Sequence, residues 1–141
     1  MAREIERKFL VDQGRLGPLR NGVAIRQGFI PTADLTVVRV RITGEQAWLT
    51  LKGKNEGAVR SEFEYPIPAS DAEQILSQMC GGNFIAKTRY LRQCGDHTWE
   101  IDVFEGDNTG LVVAEVELES EQEAFQRPDW AAQEVTMDDR Y

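Results

Sequence analysis

The sequence predicts a mainly β domain of about eight antiparallel strands, either closed into a barrel or stacked as a sandwich. Apolar and polar residues alternate with a period of two over most of the 141 residues. Short glycine-containing turns separate neighbouring segments, as at Thr43-Gly44-Glu45 and Cys94-Gly95-Asp96. The length suits one domain, so we expect residues 1–141 to form a single unit.

Eight segments carry the alternation and are predicted to be strands. They span about residues 3–11, 23–30, 35–43, 46–53, 60–68, 85–94, 97–105 and 110–119. A helix follows the fifth strand, with Ser70 as its N-cap, Glu73 three residues later and Gly81-Gly82 at its end. A second, short helix is predicted over residues 121–126, ending before Pro128.

Composition argues against several protein classes. No apolar run approaches the roughly 20 residues that a membrane-spanning helix needs, and the N-terminus lacks the apolar stretch of a signal peptide. We therefore expect a cytoplasmic protein with no membrane partner. A net charge of −8 argues against general nucleic-acid binding. With two cysteines and His97 as the single histidine, neither a zinc site nor a histidine-based triad is expected.

Charged side chains recur at every second position of the predicted strands, where they share one face. Like charges repeat within a strand, as at Arg39 and Arg41 or at Glu115 and Glu117. Any single strand also fits a sheet with one dry and one wet face. The set contains eight cations (Lys8, Arg39, Arg41, Lys52, Lys54, Arg60, Lys87, Arg89) and eight anions (Glu4, Glu6, Glu62, Glu64, Glu100, Asp102, Glu115, Glu117).

The balance of this set predicts a neutral, charge-separated interior beneath an acidic exterior. The chain has 16 Lys+Arg and 24 Asp+Glu, so its entire excess negative charge lies outside the set. Arg and Lys clusters bind phosphoryl oxygens, and carboxylate clusters bind hard divalent cations. A polyphosphate carrying bound metal ions would satisfy both halves, and the chain has no GxxxxGK[ST] loop that would indicate a P-loop enzyme.

These motifs resemble those of the CYTH domains, also called triphosphate tunnel metalloenzymes. Glu4-x-Glu6-x-Lys8 matches the ExExK signature of that family. The later motifs, in the family's order, are Arg39-x-Arg41, Lys52-x-Lys54, Arg60-x-Glu62-x-Glu64, Lys87-x-Arg89, Glu100-x-Asp102 and Glu115-x-Glu117. The resemblance covers essentially the whole chain, and Gln27-Gly28-Phe29, Glu134-Val135-Thr136 and Arg140-Tyr141 are similar to the short bacterial branch.

The resemblance implies a closed eight-stranded antiparallel tunnel with a few peripheral helices, which hydrolyses inorganic triphosphate with Mg²⁺ or Mn²⁺. Lys8 would lie near the attacked phosphorus and orient or deprotonate the water. The phosphates would be held by Arg39, Arg41, Lys52, Lys54, Arg60, Lys87 and Arg89, and the metal ligands would be Glu4, Glu6, Glu62, Glu64, Asp102, Glu115 and Glu117.

Two departures from the family pattern and several alternatives stay open. Many relatives carry a tyrosine, a proposed proton acceptor, where this chain has Phe29, and relatives continue past Arg140-Tyr141 into a C-terminal helix that we expect to be absent here.

The alternative activities are thiamine triphosphatase, class IV adenylate cyclase and polyphosphate binding without turnover. Trp99 is expected in the core, whereas Trp48 and Trp130 are undecided, and a homodimer is one alternative for the oligomeric state.

Overall fold

The computed structural model describes residues 3–82, 84–138 and 140–141 and confirms a mainly β fold. Within those ranges the chain forms nine strands, which are β1 (Arg3–Val11), β2 (Val23–Ile30), β3 (Val37–Thr43), β4 (Gln46–Lys52), β5 (Val59–Ile67), β6 (Phe84–Cys94), β7 (His97–Phe104), β8 (Val112–Glu117) and β9 (Ala131–Glu134). The same ranges contain two α-helices, α1 (Gln13–Leu16) and α2 (Ala69–Met79), and a 3-10 turn at Gly106–Asn108.

Eight of these strands close into an antiparallel barrel. Their order around the wall is β5-β4-β3-β2-β6-β7-β8-β1, and β1 returns to β5 through the pairs Arg3–Ser61, Glu4–Arg60 and Ile5–Val59. This ring decides in favour of the barrel, because a sandwich would leave its edge strands unpaired. β9 lies beside the ring and extends the sheet from β1.

Two of the tight turns that close the ring have the predicted form. Gly44-Glu45 joins β3 to β4, and Gly95-Asp96 joins β6 to β7. Gly44 has φ 63° and Gly95 has φ 60°, a left-handed conformation that glycine adopts without steric penalty. Each hairpin therefore keeps the register of the long strands on either side of it.

The hydrophobic core lies outside the barrel wall. Its larger cluster contains Phe9, Trp99 and Trp130, with ring centroids 5.5 Å apart for Phe9 and Trp99 and 5.4 Å apart for Trp99 and Trp130. Trp99 is fully buried, as its position in the alternation predicts, and the structure places Trp130 in the same core. The chain between β8 and β9 covers this cluster, with Phe125 packed against it.

The helix α2 covers a second apolar cluster on the outer face of β3 and β4. This cluster consists of the buried residues Val40, Ile42, Ala47 and Ala72. The helix also lies directly on β2, because Gly28 has no side chain at the contact. A Cβ atom at Gly28 would lie 2.7 Å from Leu76 Cδ2 and 2.8 Å from Cys80 Sγ.

Several predicted boundaries were wrong, each for a local reason. The helix begins at Ala69 with Pro68 as its N-cap, because the extended backbone of Pro68 fixes the turn before Ser70 is reached. Glu73 pairs with Arg26 of β2 instead of completing a capping box. Residues 121–126 form a turn followed by irregular chain instead of a helix, and the short strand β9 was not predicted. No helix of the described ranges has the length and apolar character to cross a membrane.

Replacing Gly28 with Ala should destabilise the fold by about 1–3 kcal/mol, because the added methyl group overlaps Leu76 and Cys80. The measurement is the free energy of unfolding in urea. Gly82→Ala is the matched control, since a Cβ there meets nothing within 4 Å. Equal stability of the two variants would contradict the close approach of α2 to β2.

Candidate active site

The strand register shows that one charged face runs around the inside of the wall, because directly paired residues point to the same side. Lys8 pairs with Glu115, and Glu115 pairs with Glu100 on the next strand. The lumen positions reached in this way are Glu4, Glu6, Lys8, Arg39, Arg41, Lys52, Arg60, Glu62, Glu64, Lys87, Arg89, Glu100, Asp102, Glu115 and Glu117. The structure therefore brings together the whole alternating set except Lys54.

One ion-pair cluster is centred on Asp102, which is 2% exposed. Lys87 Nζ donates to Asp102 Oδ2 at 2.7 Å, and Arg89 donates from Nε and Nη2 at 2.8 and 2.9 Å. Burial opposes the charged carboxylate, but the hydrogen bond from Arg89 and the charge of Lys87 outweigh it and lower the pKa of Asp102. Asp102 is therefore shared between two cations, and Arg89 also reaches Glu100 at 3.2 Å.

A second ion-pair cluster is centred on Glu4. Lys52 Nζ lies 2.9 Å from both carboxylate oxygens of Glu4, and Arg60 Nε donates to Oε1 at 3.3 Å. Lys52 also lies 3.2 Å from Glu62. These contacts join β1, β4 and β5 across the seam where the barrel closes.

Arg39 and Arg41 are less closely paired with carboxylates than Lys52, Lys87 and Arg89 are. Arg39 lies 3.6 Å from the exposed Glu64, and its Nε is buried without a hydrogen-bond partner in the described chain. Arg41 donates from Nε to the amide oxygen of Gln27 at 2.8 Å, and no ion pair among the described residues includes it. Burial, followed by the charges of Arg39 and Arg89, lowers the pKa of Arg41 to about 10.

Two pairs of lumen carboxyl groups lie in contact with each other. Glu6 and Glu115 hydrogen-bond to each other, and burial together with the charge of Glu115 raises the pKa of Glu6. Glu4 and Glu62 also hydrogen-bond, and burial followed by that contact raises the pKa of Glu62. Two carboxyl groups in contact need a shared proton or a cation between them. Carboxylate oxygens are the ligands that hard divalent cations prefer, so these two pairs fit such an ion.

The predicted metal ligands do not form a finished coordination shell. Across residues 3–82, 84–138 and 140–141, no three histidine, cysteine or acidic side chains converge as a preformed metal site. Some of their oxygens contact lysine or arginine instead, as Glu4 contacts Lys52 and Asp102 contacts Lys87. The fit to a metal therefore rests on the oxygen donors and on the paired carboxyl groups.

Lys8 lies half-buried beside a small polar cavity. Its Nζ donates to the backbone carbonyl of Tyr141 at 2.8 Å. The cavity has a volume of about 30 Å³ and is lined by Glu4, Glu6, Lys8, Asn55, Ala58, Arg60 and Thr136. That volume and those polar groups suit a single water molecule. A larger cleft of about 280 Å³ lies on the outer surface, but its lining of Arg3, Glu56 and Glu121 does not suit a polyanion.

Three of the predicted site residues are exposed and not buried in the lumen. Lys54 is exposed in the loop after β4, outside the lumen clusters, while Glu64 and Glu117 are exposed lumen positions. Their roles stay predictions.

The charge pattern also missed neutral residues of the lumen. Gln27 is 4% exposed and holds Arg41, and Thr50 is fully buried between Arg39 and Glu64. Trp48 pairs with Arg41 and is half-buried on the lumen face. Strand parity alone identifies all three as lumen positions, but their side chains carry no charge that would have drawn attention to them.

Comparisons with known proteins place this geometry in a family. Residues 2–140 match the CYTH domain family. An inorganic triphosphatase of Acetivibrio thermocellus is 45% identical over 141 residues, which cover 100% of this chain and 90% of that protein. An inorganic triphosphatase of Nitrosomonas europaea is 39% identical, with 98% and 92% of the two chains covered.

A solved structure has the same fold over nearly the whole chain. The crystal structure of the inorganic triphosphatase NE1496 superposes with a TM-score of 0.68 at 37% identity. The match covers 97% of this chain and 92% of that one.

Replacing Glu6 with Gln should flatten the pH dependence of stability in the metal-free protein. Because the pKa of Glu6 in the fold is raised above its ordinary value of 4.5, the folded protein keeps a proton that the unfolded chain loses above that pH. The stability of the wild type therefore falls as the pH rises from about 4.5 through the raised pKa, and the amide removes this slope.

The measurement is the Tm in the presence of a chelator, from about pH 5 to about pH 9. Glu45→Gln, in the exposed β3–β4 turn, should keep the wild-type slope. Added Mg²⁺ should then raise the Tm of the wild type more than that of Glu6→Gln. Identical slopes and identical Mg²⁺ responses would place Glu6 outside a carboxyl pair.

Proposed function

The chain belongs to the CYTH domain family, and from that premise we propose that it hydrolyses inorganic triphosphate to diphosphate and phosphate inside the barrel, with a divalent metal ion. The observation that carries this proposal is the pair of opposite deficiencies in one lumen. Among the described residues, Arg39 has one carboxylate contact, at 3.6 Å, and Arg41 has none, whereas Glu6 and Glu115 lie against each other and form no ion pair. A triphosphate with a bound metal ion supplies both at once.

The relatives narrow the substrate to inorganic triphosphate. Two curated relatives, 45% and 39% identical over nearly the whole chain, are named inorganic triphosphatases. The lumen agrees with a substrate that is charged along its whole length, because basic side chains project into it from β3, β4 and β6. Hydrolysis needs these groups to hold the chain of phosphates in line while charge develops on the leaving diphosphate.

The basic residues bind the substrate in this proposal. Arg39 and Arg41 offer guanidinium groups that can bind phosphoryl oxygens in a bidentate manner. Lys87 has a pKa lowered to about 8, mainly by burial and against the attraction of Asp102, so the charge of a phosphate would hold it protonated. The complete proposed set is Arg39, Arg41, Lys52, Lys54, Arg60, Lys87 and Arg89, in which Lys54 would reach the substrate from the loop after β4 and not from the lumen wall.

The acidic residues hold the metal in this proposal. The ligands, direct or through water, are Glu4, Glu6, Glu62, Glu64, Asp102, Glu115 and Glu117, and the ion is Mg²⁺ or Mn²⁺. When bound, such an ion supplies charge neutralisation of phosphoryl oxygens and helps to orient substrate and water. Glu4 would exchange part of its contact with Lys52 for the ion, and Lys52 would then be released to the substrate.

Lys8 is the proposed catalytic residue for the water. Its ammonium group lies at the 30 Å³ cavity, where it can orient a water molecule by hydrogen bonding. Phe29 has no group that accepts a proton, so the water must lose its proton elsewhere. We assign that role to the metal site or to Lys8, which would take the proton as the neutral amine, whereas its ammonium form would only orient the water.

One observation favours a second substrate class. Trp48 lies on the lumen face beside Arg41, where an aromatic ring attached to a triphosphate could stack on it. Thiamine triphosphate therefore belongs in any substrate test.

We further propose that residues 1–141 act as a single domain in the cytoplasm.

The proposed function is tested by measuring phosphate release from inorganic triphosphate with Mg²⁺ or Mn²⁺, with ATP and thiamine triphosphate in parallel. Glu115→Gln should lose metal-dependent release while keeping its fold, because the amide weakens the carboxyl pair as a cation site. Glu45→Gln is the matched control. Binding without release would support a non-catalytic module, and release from thiamine triphosphate alone or cyclic AMP from ATP would overturn the substrate assignment.

Replacing Arg39 with Ala should weaken triphosphate binding by about 1.5–3 kcal/mol, because a charge-assisted contact is lost. That free energy corresponds to an increase in Kd of roughly 10-fold to 150-fold. Arg20→Ala, an exposed arginine outside the lumen, is the control. The Kd can be measured by calorimetry with Ca²⁺ in place of Mg²⁺. An unchanged Kd in Arg39→Ala would place Arg39 outside the substrate site.

A further inference from the structure

The wall of the barrel is incomplete at Lys8 until a distant segment completes it. β1 pairs with β8 from Glu6 to Leu10 on one side, but its ladder with β5 on the other side ends at Ile5. Beyond that point the free edge of β1 is covered by β9 and the residues that follow it. The strand that carries Lys8 therefore depends on chain more than 120 residues away.

Both backbone polar groups of Lys8 are satisfied by this distant segment. Val135 N–H donates to the carbonyl oxygen of Lys8 at 2.8 Å, and Lys8 N–H donates to Thr136 Oγ1 at 3.0 Å. The first bond continues the β9 ladder. The second replaces a backbone acceptor with a side-chain hydroxyl, at the point where β9 has already ended at Glu134.

The hydroxyl of Thr136 is itself held in one orientation. Its Oγ1 donates to Glu134 Oε2 at 2.6 Å, which leaves a lone pair aimed at Lys8 N–H. Glu134 in turn accepts two hydrogen bonds from Arg7, at 2.5 and 2.6 Å, and the guanidinium carbon of Arg7 lies 5.1 Å from the ring centre of Phe125. Hydrogen bonds that polarise one another in this way fix geometry more firmly than isolated ones.

The consequence for the lumen follows from strand parity. Arg7 and Lys8 are neighbours on β1, so their side chains point to opposite sides of the wall. Arg7 is clamped outside by Glu134, while Lys8 projects inside beside Glu115 and the small cavity, which Thr136 also lines. Fixing the backbone between them fixes the point from which the Lys8 side chain enters the lumen.

We propose that Thr136, oriented by Glu134 and Arg7, is a positioning residue for Lys8. This inference rests on the proposed function, because the position of Lys8 matters only if Lys8 orients the attacking water. Thr136 acts through the Lys8 backbone, and the cations on β3 and β6 that would bind phosphate lie on other strands. Its loss should therefore slow turnover without weakening substrate binding.

The experiment compares Thr136→Val, Thr136→Ser and the control Thr109→Val, whose hydroxyl bonds only within its own turn. We expect Thr136→Val to lower kcat by about tenfold, since small misplacements of a catalytic group are costly, with KM changed by less than about twofold. Thr136→Ser, which keeps the hydroxyl group, should keep the wild-type kcat. The rise in Tm on adding Mg²⁺ should be the same in every variant.

A fourth variant, Glu134→Ala, keeps the test decisive if Thr136→Val unfolds at the assay temperature. It should lower kcat in the same direction, and the double variant with Thr136→Val should be no slower than the slower single variant. Three results would overturn the positioning role alone. They are an unchanged kcat in Thr136→Val and Glu134→Ala, a KM in Thr136→Val that rises as much as its kcat falls, and a kcat of Thr136→Ser as low as that of Thr136→Val. Absence of triphosphate hydrolysis by the wild type would overturn the proposed function, and the positioning role with it.

Discussion

Closure of the barrel is the constraint on which the rest of the structure depends. Once β1 pairs with β5, the charged face of every strand points into one narrow lumen, where bulk water can no longer screen it. Each cation must then find an anion or a ligand. Asp102 pairs with Lys87 and Arg89, and Glu4 pairs with Lys52 and Arg60, so the counter-ions come from other strands of the wall instead of from the solvent.

A charged lumen forces the hydrophobic core to the outside of the wall. Small barrels ordinarily fill their interior with apolar side chains, but here Phe9, Trp99 and Trp130 pack on the outer surface, beneath the chain that follows β8. The covering segments are therefore part of the hydrophobic core that stabilises the fold. They also reach the edge of β1 at Lys8, so the packing that stabilises the fold and the contacts that shape the lumen belong to the same segment.

Much of this arrangement could be predicted because it follows from parity, which is a local property of a strand. Alternation alone was enough to place Arg39 and Lys87 inside and Trp99 outside. It could not predict the capture of the β1 edge by Val135 and Thr136, because that contact depends on where the β5 ladder ends, far away in sequence. Nor could it show that Lys54 leaves the lumen, since a strand ends where its hydrogen bonds end and β4 stops at Lys52.

The ion pairs of the lumen explain why a metal site need not be preformed. An isolated buried carboxylate would cost several kcal/mol, so the acidic residues share protons or lysine partners while no divalent ion is bound. In the proposed function, a bound ion and a triphosphate would exchange these internal contacts for new ones of both signs. The same residues would then hold one another in the free protein and bind the ligand on loading, and the gain on binding would arise mainly where internal pairing is poorest, at Arg39 and Arg41 and at the Glu6–Glu115 pair.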